Sequence, residues 1–153
     1  MKRWLLLIAS IGGIVCLSIK LVYYYEERSL ESLIYYNEDD VMIMAVTTDI
    51  TKVEQANEYE FYLEDREQME KLMEFLSAYQ VKRVSQTHYQ RQLLYGTQQQ
   101  IFVSHYSHTP SVAFIGEAGV HLVDDGTYQV MNGPIDMKWL AEFIDEKNER
   151  NAE

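Results

Sequence analysis

An α+β fold is predicted for this chain: a small domain with an antiparallel sheet and two helices packed on one face, behind an N-terminal single transmembrane helix. Three observations predict it. Residues 4–25 are almost wholly apolar, with Lys20 as their only charge. Two later segments repeat apolar side chains at helical spacing. Around them lie short alternating or continuously apolar runs, separated by Gly, Pro and Asp turn signals.

The first element is the apolar stretch. Its 22 residues are long enough to cross a hydrocarbon core, which takes about 20. Trp4 stands at one end and Tyr23, Tyr24 and Tyr25 at the other, where amphipathic rings meet the headgroups. Lys20 is close enough to the outer end to snorkel. Lys2 and Arg3 precede the stretch, which places the N-terminus in the cytoplasm and the C-terminal domain outside. Residues 1–28 are therefore read as a signal anchor in the cell membrane. The alternative is a cleaved signal peptide and a secreted or lipid-anchored product. Cys16-Leu17-Ser18 matches a cleavage site poorly. Gly13-Ile14-Val15 before Cys16, the single cysteine, only loosely resembles a bacterial lipobox.

Leu30, Leu33 and Ile34 have helical spacing, so residues 29–40 are expected as a juxtamembrane stalk that ends at Asn37-Glu38-Asp39-Asp40. Residues 41–46 read as a buried strand, and 58–63 as a half-buried one with Tyr59, Phe61 and Leu63 on one side. Asp65 is a good N-cap with Gln68 three residues on. The helix after it turns Met69, Leu72, Met73, Leu76 and Tyr79 to one face. From Val81 the pattern returns to strands: 89–95 and 99–106 as an expected hairpin about Gly96, then 111–115, 120–123 and 128–131. Asp124-Asp125-Gly126-Thr127 is a hairpin turn signal. Pro134 is expected at the first position of a last helix, whose apolar face is Ile135, Trp139, Leu140, Phe143 and Ile144. The extracytoplasmic domain is bounded at 41–148, with a charged tail over 149–153.

Charge excludes some partners. From Ser29 onward there are 22 Asp and Glu against 9 Lys and Arg, a net of −13. Nucleic-acid binding requires cations against phosphates, so no nucleic-acid partner is expected. No glycine-rich phosphate loop is present, and no cofactor is implied.

His105 and His108 are the nearest approach to a metal motif. On a strand, positions i and i+3 point to opposite faces, and no third ligand has motif spacing, so no metal is assigned. Ser104-His105 is excluded as a nucleophile–base pair for the same geometric reason. Glu38-Asp39-Asp40 and Asp124-Asp125 match no calcium loop and read as a helix terminator and turn chemistry. The 12 tyrosines and the clustered glutamines are more suggestive. Tyr89, Gln92, Tyr95, Gln99 and Tyr106 would place phenol rings and amides together on the expected hairpin, a surface suited to a protein or glycan partner. The functional expectation is a membrane-tethered extracytoplasmic binding or accessory domain, non-enzymatic, with an envelope protein or glycan as its partner. One alternative is a small hydrolase or metal-dependent enzyme using His88, His105, His108 or His121. Another is a small membrane subunit acting through its anchor helix.

Overall fold

The computed structural model describes residues 12–15, 18, 22, 24–47, 61–63, 65–85 and 98–150, with 61 and 145–150 described by backbone alone. In chain order these residues form β1 (Arg28–Ser29), a 3-10 turn (Glu31–Leu33), β2 (Val41–Thr47), β3 (Phe61–Leu63) and α1 (Arg66–Ser77). They continue with β4 (Gln80–Val84), β5 (Gln99–His105), β6 (Ser111–Gly116), β7 (Gly119–Leu122), β8 (Gly126–Val130) and α2 (Met137–Arg150). The domain is α+β: one antiparallel sheet of eight strands, in the order β1-β4-β8-β7-β6-β5-β2-β3, and few helices.

Strands β5 to β8 are a meander. Gly116 pairs with Gly119 across a two-residue turn, and Gly126, at φ +119°, opens β8. That φ is in the region that L side chains avoid, which is why glycine follows Asp124-Asp125 here. Strand β4 joins the meander beside β8, so β4 and β5, neighbours in sequence, are separated by β8, β7 and β6.

Register aligns the core. Val46 faces Ile101, Ile101 faces Ala113, and Ala113 faces Leu122, one row across four strands. Ile115, Val120 and Tyr128 form the next row. All of these side chains are buried, as period-2 alternation on one covered face requires. Met69, Leu72, Met73 and Leu76 of α1 join the same core, as do Leu140, Phe143 and Ile144 of α2. The helices also meet directly: Phe75 stacks on Trp139 at 4.0 Å between centroids. Asp65 caps α1 by accepting the Glu67 N–H at 3.0 Å, as its position predicts.

Three expectations change. Residues 29–36 do not continue a helix. Arg28 and Ser29 pair with Val81 and Gln80, and the Leu30 N–H donates to the Tyr79 carbonyl. Leu30 and Ile34 are core residues. Sheet pairing and burial outweigh the local helical pattern, because an isolated turn or two of helix is unstable without packing. Pro134 is not the first residue of α2, which begins at Met137; the Trp139 N–H donates to Asp136 Oδ1 at 2.9 Å, so the carboxylate sets the start. Both edges of β5 are occupied, by β2 and by β6, which leaves no free edge for the expected hairpin; its other strand, 89–95, lies outside the described residues.

Most of the expected anchor, residues 4–25, also lies outside the described residues, as does 58–60. Among the described residues no helix is long and apolar enough to cross a membrane.

Candidate functional site

The site grows from the turn before β2. Asn37 accepts the Asp39 N–H on Oδ1 at 3.1 Å, and its carbonyl accepts the Asp40 and Val41 N–H groups. This turn delivers Asp40 to the mouth of β2, beside the end of β5. The Tyr106 N–H donates to the Asp40 carbonyl at 3.0 Å, which continues the ladder one step past the strand.

The Asp40 carboxylate then gathers the next two residues. Oδ1 accepts the Ser107 N–H at 3.1 Å, and Oδ2 accepts the Ser107 hydroxyl at 2.6 Å. His108 Nδ1 lies 2.9 Å from the same Oδ2 and 2.8 Å from Ser107 Oγ. The Ser107 hydroxyl, and next the His108 ring, hold Asp40 below the usual carboxylate range. An ionised carboxylate only accepts, so the neutral His108 ring carries its proton on Nδ1 and leaves Nε2 as a bare acceptor.

This arrangement differs from a nucleophile relay. A relay places serine on one imidazole nitrogen and carboxylate on the other. Here both converge on Nδ1, and the Ser107 proton is directed at Asp40. The hydroxyl is a clamp on the loop rather than an activated nucleophile.

Tyr35 packs over the cluster, its ring 4.4 Å from His108 and 4.7 Å from His105. The rings of His105 and His108 are 6.3 Å apart. Strand alternation did not keep them apart, because β5 ends at His105 and the chain turns before His108. His105 is 5% exposed, and within the described structure neither ring nitrogen has a hydrogen-bond partner. Burial pushes its pKa down; Asp40 and a weak contact to the Tyr35 main chain oppose this, and His108 adds to it. Among the described residues no three His, Cys, Asp or Glu side chains are grouped to hold a metal ion.

Beside the cluster lies a cleft of about 260 Å³. Leu33, Val112 and Leu122 supply apolar lining, Tyr35 and His108 supply rings, and the 109–111 segment completes that wall. The β7–β8 turn contributes Asp124 and Asp125 to the lining. Asp125 is already engaged: Oδ1 accepts from Arg83 Nη2 at 2.7 Å and Oδ2 from the Tyr128 hydroxyl at 2.5 Å. Burial, and then this bond, raise the Tyr128 pKa. A Cβ at Gly126 would come 3.0 Å from Arg83 Nη2, so the glycine also makes room for that pair. Asp124 is exposed and has no partner among the described residues.

The residues singled out from sequence are dispersed. Tyr106 is 77% exposed beside the cluster, whereas Gln99 is buried at the far end of β5, its Oε1 without a partner among the described residues. Tyr89, Gln92, Tyr95 and His88 lie outside the described residues. His121 is on the opposite sheet face, its Nδ1 3.0 Å from Thr127 Oγ1 and its ring stacked 6.2 Å from Phe114. Sequence reasoning passed over Tyr35, Asp40, Ser107 and Asp124 as site residues. Both acidic pairs had been noticed, but nothing in the linear pattern links Asp40 to a loop 67 residues later. Comparison with protein-family models, with curated proteins and with solved structures gives no match.

Proposed function

We propose that this chain is a membrane-tethered, extracytoplasmic binding or accessory domain, non-enzymatic, that grips an envelope protein or glycan through the cleft beside His108. The observation that carries the reading is the convergence of Asp40 and Ser107 on one nitrogen of His108. It fixes the ring and leaves an open acceptor at a cleft with an apolar floor, the makeup of a recognition site. In this reading residues 4–25 anchor the domain, on the strength of their length, their aromatic ends and the charges before them. The two helices cover one face of the sheet and leave the cleft end accessible.

Of the described members of the tyrosine and glutamine set, Tyr106 is the exposed one and extends the contact area next to the cleft. Tyr89, Gln92 and Tyr95 belong to the proposal on sequence grounds alone. Gln99, being buried, supports the sheet rather than touching a partner.

The test is crosslinking in intact cells at native abundance, followed by mass spectrometry. One dominant partner is expected, and Tyr35→Ser combined with His108→Ala should abolish its capture while the domain stays folded. Capture that survives the double variant would move the binding surface elsewhere.

A further inference from the structure

We infer that the cleft accepts a primary alkylammonium group, carried on a short apolar stem such as a lysine side chain. The inference rests on the binding role assigned to the cleft above and names the chemistry that fits it. Size sets the first limit: about 260 Å³ is below the span of ordinary drug-sized sites and suits a side chain or a small amine. Lining sets the second. Leu33, Val112 and Leu122 offer a surface to methylenes, and Tyr35 adds an aromatic side chain to that lining.

The polar groups determine the sign of the charge. Among the described residues no lysine or arginine lines the cleft. Arg83, which pairs with the cleft residue Asp125, is held by that carboxylate and lies 3.9 Å over the Tyr24 ring. Two acceptors remain without partners among the described residues, the Asp124 carboxylate and His108 Nε2. Nothing in the lining offers a counter-charge to a carboxylate or phosphate, which would meet Asp124 and a strongly acidic domain. An ammonium, with three donors and one positive charge, matches both acceptors.

The experiment uses the full-length chain in zwitterionic detergent micelles, with amide shifts followed by NMR during titration with n-butylammonium, butyramide and butyrate. Expected are saturable shifts confined to the amides of 107–109, 111–112 and 122–125, seen with n-butylammonium at pH 7.5. Butyramide and butyrate should be weaker by about five-fold or more, and Asp124→Asn, an exposed and structurally mild change, should weaken n-butylammonium by a similar factor. A blocked Ala-Lys-Ala peptide that binds tighter than the free amine would assign the ammonium to a polypeptide; equal affinity would assign it to a free amine. Equal response to all three small probes at those amides overturns the ammonium assignment while the cleft keeps its binding role. Silence at those amides with every probe overturns both.

Discussion

His105→Phe is expected to stabilise the folded chain. His105 is 5% exposed, and both of its ring nitrogens lack partners within the described structure. A buried polar group left unbonded costs about 1–3 kcal/mol. Phenylalanine keeps the aromatic contact with Tyr35 and removes both unbonded nitrogens, while fitting its larger ring costs about 1–3 kcal/mol. The net expectation is a gain of roughly 1 kcal/mol at pH 7.5. The assay is urea unfolding followed by Trp139 fluorescence in a Trp4→Phe background. The sign of the pH effect follows from the depressed pKa of His105 in the folded chain. The unfolded chain takes up the proton first as pH falls through about 6.5, so stability present above that pH is lost below it, until the folded ring also protonates. The variant should lose this slope, so its advantage grows between pH 6.5 and 5. A loss of more than about 2 kcal/mol at pH 7.5 would refute the reasoning, because it would mean that the ring nitrogens are bonded in the folded protein.

Four further outcomes follow. Asp40→Asn should free the 106–108 loop, seen as faster amide exchange at Ser107; because the folded Asp40 pKa is depressed, the wild-type loop should hold above about pH 3.9 and loosen as pH falls further, through that lowered pKa. Gly126→Ala forces an L side chain to φ +119° against Arg83 and should destabilise by about 1–3 kcal/mol in chemical denaturation. Ile101→Ala removes a fully buried side chain at the centre of the sheet and should cost about 2–5 kcal/mol by the same measurement. Asp65→Ala deletes the α1 cap and should cost about 1 kcal/mol, with Asp65→Asn recovering most of it.

Much of the local structure was legible in the linear pattern because its causes are local. The strand at β2, the apolar face of α1 and its Asp65 cap, and the Asp-Gly turn between β7 and β8 each depend on neighbours a few residues apart. The site was not legible, because it is made of one turn before β2, one turn after β5 and one turn after β7. Each supplies residue types that have a sufficient local explanation: Asp40 as a helix terminator, Ser107 and His108 as loop residues, Asp124 as turn chemistry.

What the amino-acid sequence determined alone is the class of fold, the strong acidity of the chain after residue 28, and the apolar N-terminal stretch with its flanking charges and rings. These follow from composition and periodicity, which act at short range. The tertiary structure alone decided the order of the strands, with β4 and β5 parted by β8, β7 and β6. It also decided that Leu30 and Ile34 belong to the core rather than to a stalk. The third decision was the union of Asp40 with Ser107 and His108. Register between β2 and β5 sets that union, because pairing Val41 with His105 brings the turn before β2 and the turn after β5 within hydrogen-bonding distance. Long-range pairing is settled by the burial of a whole sheet face, an energy no single segment carries by itself.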